Sequence, residues 1–185
     1  KDLFPYFSLF VYGGVNFEPY RRKFEETFGK KIDSIELYPA SEGFIAFQND
    51  PNDPSLLLNL NSGLFFEFIP ADRFFEKEPP RIDISMVETG VNYVIIINSN
   101  AGLWGYNIGD TIRFVSLNPY KIVVTGRIQH FISAFGEHVI AEEVEQSILC
   151  AMNKNSAKIN EFTVAPQVNP PEGGLPYHEW LIEFE

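Results

Sequence analysis

Apolar positions change rhythm along this chain, and the changes mark out its elements. Leu9 to Tyr12 is a short apolar run closed by Gly13–Gly14, which predicts a buried strand. Phe17, Tyr20, Phe24 and Phe28 then recur at three- and four-residue spacing with charges between them, which predicts an amphipathic helix. Gly29 supplies its stop. Ile32 to Tyr38 reads as the next strand, so the opening is a β-α-β unit with a parallel pairing. Phe44 to Phe47 is a further strand, and the loop residues 38–43 lie between the two. Ligands of open α/β sheets bind beyond the carboxyl ends of strands, which puts Gly13–Gly14 and Tyr38–Glu42 side by side.

From Asn49 the texture changes. Short apolar runs at Leu56–Asn59, Leu64–Ile69, Ile82–Met86, Tyr93–Asn98, Thr111–Ser116 and Lys121–Thr125 are punctuated by Asn, Gly and Pro turns. Such spacing predicts a small, mostly antiparallel β-barrel. Gly126–Arg127 ends the last of these runs. A new strand (Phe131–Phe135), Gly136 and a helix (Ile140–Asn153) follow, then a strand pair at Glu161–Ala165 and Glu179–Glu185. The expected class is α+β: residues 1–49 end an α/β sheet lobe, 50–128 form the barrel, and 129–185 begin a small C-terminal domain. The chain stops in mid-strand at EWLIEFE, and its first strand lacks a partner, so it is expected to be a segment of a longer protein.

Composition narrows the function. With 18 Phe and 8 Tyr in 185 residues the chain can bury a sizeable core. A net charge of −11 speaks against a nucleic-acid surface, which needs a basic face. Residues Tyr20–Lys23 are locally basic but read as the solvated side of the first helix. No apolar run approaches the ~20 residues of a membrane span, and the opening makes a poor signal peptide. A single Cys150 excludes an internal disulfide and suits a reducing, cytoplasmic compartment; beside Ile148 and Leu149 it is expected in the core.

Three stretches can carry chemistry. Tyr38–Pro39–Ala40–Ser41–Glu42 combines an aromatic face, a hydroxyl and a carboxylate. Tyrosine suits a nucleobase, Ser41 a phosphate oxygen, and Glu42 a magnesium ion. Without further context such a loop is usually structural. Gly102 to Asp110 places a carboxylate after a glycine, where it can accept from ribose hydroxyls or simply close its own turn. Arg127 offers a planar fork to ribose or phosphate oxygens, or to an inter-strand ion pair. His130, His138 and His178 lack zinc-ligand spacing, and no Gly-x-Ser-x-Gly elbow is present.

The order YPASE, FFEFIP (65–70), AGLWGYNIGD (101–110) and GRIQHFISAFGEHV (126–139) resembles the auxin-responsive acyl acid–amido synthetases, plant and bacterial members of the adenylate-forming superfamily. The resemblance covers most of the chain, in the family's order. It implies that Tyr38 stacks on or flanks adenine, Gly13 and Gly14 pass close to it, and Ser41 faces the α-phosphate. It further implies that Glu42 binds magnesium, that Tyr106 and Asp110 belong to the nucleotide motif with Asp110 on the ribose hydroxyls, and that Arg127 is the hinge arginine touching the nucleotide. Three positions depart from the pattern: Ala40 stands for a serine, and Gly105 and Asn107 stand for arginines.

The implied enzyme uses ATP and Mg2+ to activate a carboxylic acid as acyl-AMP, then transfers the acyl group to an amino acid, with Glu42 and Ser41 nearest the reaction. Its phosphate loop and catalytic lysine belong to stretches outside this sequence. Two alternatives remain open on the sequence. One is an acyl-coenzyme A synthetase with a thiol acceptor; the other is a non-enzymatic, β-rich interaction module.

Overall fold

A computed structural model describes residues 4–14, 17–128, 141–167, 170 and 174–185. Contacts divide the chain into two compact units, residues 1–128 and 129–185. The expected strand at Phe131–Phe135, with Gly136, His130 and His138, lies outside the described residues.

The first unit opens with strand β1 (Leu9–Tyr12), helix α1 (Glu18–Phe28) and strand β2 (Asp33–Ala40), and β1 pairs parallel with β2. Pro19 sits in the first turn of α1, where its missing N–H costs nothing. Gly29 ends the helix at φ 66°, its N–H returning to Glu25 and Glu26. Phe17, Phe24 and Phe28 of the helix meet Phe7, Phe10 and Tyr12 in an aromatic cluster, with neighbouring ring centroids 4.7–6.4 Å apart. Tyr20, expected on this face, is 40% exposed. The burial of these rings is what holds α1 against β1.

Strands β3 (Gly43–Gln48), β4 (Leu56–Leu58), β5 (Leu64–Pro70), β6 (Asn92–Ser99), β7 (Tyr106–Leu117) and β8 (Tyr120–Arg127) pair antiparallel. All eight strands form one sheet in the order β1-β2-β3-β4-β8-β7-β6-β5. One face gathers Ile45, Leu56, Phe66, Phe68, Ile95, Ile97, Ile112, Phe114 and Ile122 into a single cluster, each 3% exposed or less. Burying such a side chain contributes ~1.5–3 kcal/mol. A face can collapse onto itself in this way only if the sheet curls.

The curl is tight. A Cβ on Gly43 at the start of β3 would lie 2.8 Å from Leu64 Cδ1 of β5, at the far edge of the sheet. Among the described residues, no ladder joins the two ends, so the expected small barrel is corrected to one rolled, open sheet that also includes β1 and β2. A second expectation changes too. Ile82–Met86 is not a strand: Ile82 makes one bridge to Phe68, and Ile84–Met86 is a 3₁₀ turn capped by Asp83, whose side chain accepts from Ser85 N–H. The short polar Asp captured the backbone before a ladder could form.

The second unit contains helix α2 (Ala141–Asn155) and an antiparallel pair, β9 (Ile159–Gln167) with β10 (Tyr177–Phe184). Ile148 is its buried helical residue, whereas Cys150, expected in the core, is exposed. Two positions along a helix amount to roughly 200°, which turns the thiol to the opposite side. Among the described residues no helix is long and apolar enough to cross a membrane.

Candidate functional site

Asp110 sits where the ladders on both sides of β7 are irregular. Ile96 pairs with Asn107 and Val94 with Thr111, so two steps along β6 face four along β7. Ile108, Gly109 and Asp110 together face the single Ile95, an excess of two residues. Asn107 Oδ1 accepts from Gly109 N–H at 2.8 Å, and Gly109 takes φ 85°, a conformation that favours glycine. On the other side, Thr111 pairs with Gly126 but Ile112 pairs with Val124, leaving Thr125 bulged. Gly126 adopts φ 138°, and the buried Thr125 hydroxyl lies 2.9 Å from that of Thr111. Bulges re-aim side chains; here they turn Asp110 and Arg127 toward each other.

Tyr38 reaches the same point from β2. Its hydroxyl donates to Asp110 Oδ2 at 2.7 Å, across 72 residues of sequence. The ring belongs to the core and is only 7% exposed, so little of its face is open for stacking. Burial is the main reason the Tyr38 hydroxyl titrates far above the usual tyrosine range; the Asp110 and Glu42 charges add to it, and Arg127 opposes. Asp110 Oδ1 lies 3.2 Å from Arg127 Nε, with 21% of the aspartate side chain and 58% of the arginine exposed. Arg127 Nη2 also donates to the Ile108 carbonyl at 2.8 Å. The aspartate is thus gripped on both oxygens yet keeps an open edge.

Gly13 lies against this strand. A Cβ there would be 2.5 Å from the Leu37 carbonyl oxygen and 3.0 Å from Pro39 Cδ, the two neighbours of Tyr38. Pro39 falls at a register shift of the β2–β3 ladder and beyond the β1 pairing, so its missing N–H breaks no ladder bond. Ala40 and Gly43 are register partners, which leaves Ser41 and Glu42 as a two-residue turn, Ser41 exposed and Glu42 half-buried. Gly14, at φ 87°, has open space where a side chain would be.

The structure therefore brings Tyr38, Asp110 and Arg127 into direct contact, backs them with Gly13 and sets Glu42 within electrostatic range. Tyr106 stands apart, exposed and opposite Ile97. Sequence reasoning missed Asn107 as a shaping residue and the Ile108 carbonyl as the second hold on Arg127. The Asn-x-Gly spacing was the available signal for the first. Nothing in sequence marks the second. Among the described residues no group of His, Cys, Asp or Glu is large enough to hold a metal by itself. The lone Glu42 suits magnesium that arrives with phosphates, since that ion keeps waters and takes only one or two protein carboxylates.

Residues 57–127 match the GH3 family central domain. The GH3 match spans β4 to β8 and so includes both Asp110 and Arg127. Two curated relatives are named jasmonoyl–L-amino acid synthetases. A jasmonoyl–L-amino acid synthetase of Nicotiana attenuata, JAR4, is 31% identical over 119 residues, covering 60% of this chain and 20% of that protein. Another of Oryza sativa subsp. japonica, GH3.5, is 29% identical over 124 residues, covering 57% and 21%. The chain thus spans about a fifth of the length of these relatives. Among solved structures, a GH3.15 acyl acid amido synthetase aligns with TM-score 0.67 at 17% identity over 88% of this chain and 30% of that one. The same kind of enzyme in complex with 2,4-DB gives 0.69 at 15%, over 93% and 30%. These establish a shared fold.

Proposed function

We propose that this chain supplies the adenosine-facing part of an ATP-dependent acyl acid–amido synthetase. That enzyme activates a carboxylic acid as acyl-AMP and conjugates it to an amino acid, in a cytoplasmic setting. The observation that carries the reading is the contact of Tyr38, Asp110 and Arg127 within a chain whose centre matches the GH3 family. The synthetase names of the relatives supply the reaction class.

In this reading Asp110 accepts from the ribose hydroxyls and Arg127 lies beside the nucleotide at the hinge. Tyr38 flanks the adenosine through its hydroxyl edge. Gly13 and Gly14 let backbone approach the base, and Tyr106 borders the motif. Ser41 and Glu42, on the turn between β2 and β3, face the phosphates. Fixing adenine and ribose sets the α-phosphate in line for the incoming carboxylate. When bound, magnesium offsets the repulsion between that carboxylate and the phosphate. Residues 1–49 and 50–128 then act as the nucleotide lobe, and 129–185 as part of a small C-terminal domain.

The test is pyrophosphate exchange in the full-length protein with a panel of carboxylic acids, jasmonate first because the relatives are named for it. Acid-dependent exchange followed by amide formation with an amino acid supports the reading. Thioester formation with coenzyme A alone points to the other synthetase class, and no exchange with any acid removes the enzyme reading.

A further inference from the structure

Asp110 is bonded in a way that decides what it can still accept. A carboxylate offers about four lone-pair sites, two per oxygen. Tyr38 takes one on Oδ2, and Arg127 Nε lies 3.2 Å from Oδ1 as an ion-pair partner. Each oxygen keeps an acceptor direction, and 21% of the aspartate side chain is still exposed. Two acceptor oxygens on one carboxylate can serve the two hydroxyls of a vicinal cis-diol. The two anchors also differ. Among the described residues Arg127 is held, apart from Asp110, by the Ile108 carbonyl and is more than half exposed, whereas the Tyr38 ring is locked in the core. The rigid hold on the carboxylate is therefore the tyrosine hydroxyl.

We propose that Tyr38 is a positioning residue that fixes the plane of the Asp110 carboxylate and thereby makes the site select a ribonucleotide over its deoxy analogues. The inference rests on the reading that Asp110 receives the ribose. With the carboxylate fixed, removing either sugar hydroxyl leaves one oxygen facing an empty place, and binding suffers the full loss of that bond. With the tyrosine hydroxyl gone, Oδ2 regains a lone pair and the carboxylate turns to serve whichever hydroxyl is present. Affinity for ATP falls, but the deoxy analogues lose less.

The experiment compares ATP, 2′-deoxy-ATP and 3′-deoxy-ATP in pyrophosphate exchange by the full-length wild type, Tyr38→Phe and Asp110→Asn. Wild type should favour ATP by about tenfold or more in kcat/KM, the ratio expected for one lost hydrogen bond. Tyr38→Phe should raise the KM for ATP and shrink that preference severalfold. Asp110→Asn should weaken ATP binding outright. An undiminished preference in Tyr38→Phe, including an equal loss for all three nucleotides as for a residue that merely packs, overturns the inference. A wild type with no preference, together with an Asp110→Asn variant of normal ATP affinity, overturns the ribose reading beneath it. Should Tyr38→Phe fail to fold, Asp110→Glu serves instead. It keeps the charge but displaces it from the hydroxyl, and a wild-type preference in that variant also overturns the inference.

Discussion

Asp110 and Arg127 are register partners across β7 and β8, and the arginine Nε lies 3.2 Å from the aspartate Oδ1. The pair is not chiefly a stability device. With 58% of Arg127 exposed, an ion pair of this kind contributes under ~1 kcal/mol.

Arg127→Lys should therefore leave the thermal midpoint nearly unchanged while raising the KM for ATP as much as Arg127→Ala does. A lysine carries the charge but cannot also reach the Ile108 carbonyl with a second, fixed N–H. Thermal melts and steady-state kinetics on both variants check this. Full rescue by lysine would mean that charge alone matters.

Two glycines predict losses of different size for the same change. Gly13→Ala sets a methyl 2.5 Å from the Leu37 carbonyl, which is backbone and must move with its strand. We expect a loss of about 1–3 kcal/mol in urea unfolding, as for overpacking in a tight interior. Gly43→Ala meets the Leu64 side-chain tip at 2.8 Å, which can rotate away. That variant should lose less than about 1 kcal/mol. Equal losses would contradict the described packing at one of the two positions.

Those contacts also show what sequence could tell. The Phe17–Phe28 helix was legible because three- and four-residue spacing of rings belongs to one helical face and Gly29 cannot extend it. Most strands were legible from the turns between them. Closure was not, because short antiparallel strands look alike in a barrel and in a rolled open sheet; the Gly43–Leu64 approach shows the curl, and the lack of a ladder between the ends among the described residues shows the opening. Ile82–Met86 had strand-like spacing but lost to a local side-chain bond of Asp83. The strand expected at Thr111–Ser116 is longer than the spacing predicts. Strand β7 starts at Tyr106 and bulges, so the glycine and asparagine there mark an irregular strand. The candidate residues were picked by motif, but the bond from Tyr38 to Asp110 depends on the curl of the sheet and has no local signature.

Tyr12 predicts alkaline sensitivity. Its pKa is pushed up to about 12, mainly by burial, with Glu36 and Glu18 adding and Arg21 opposing. Below about pH 10, the ordinary tyrosine value, both folded and unfolded chains keep the proton and its contribution is complete. Between that value and about 12 the unfolded chain ionises first, so stability falls as pH rises. For this half-buried group the loss should be about 1 kcal/mol after allowance for solvent screening. Urea midpoints at pH 9 and pH 11 should draw apart less in Tyr12→Phe than in wild type. Identical pH dependence in the two proteins would count against the burial of this hydroxyl.

The most direct measurement of the central claim is calorimetric titration of ATP into the full-length protein, wild type against Asp110→Ala. Affinity should be weakened by about 1–3 kcal/mol, the cost of leaving ribose hydroxyls unpaired, with the fold intact by circular dichroism. Unchanged affinity in a folded Asp110→Ala variant would contradict that claim.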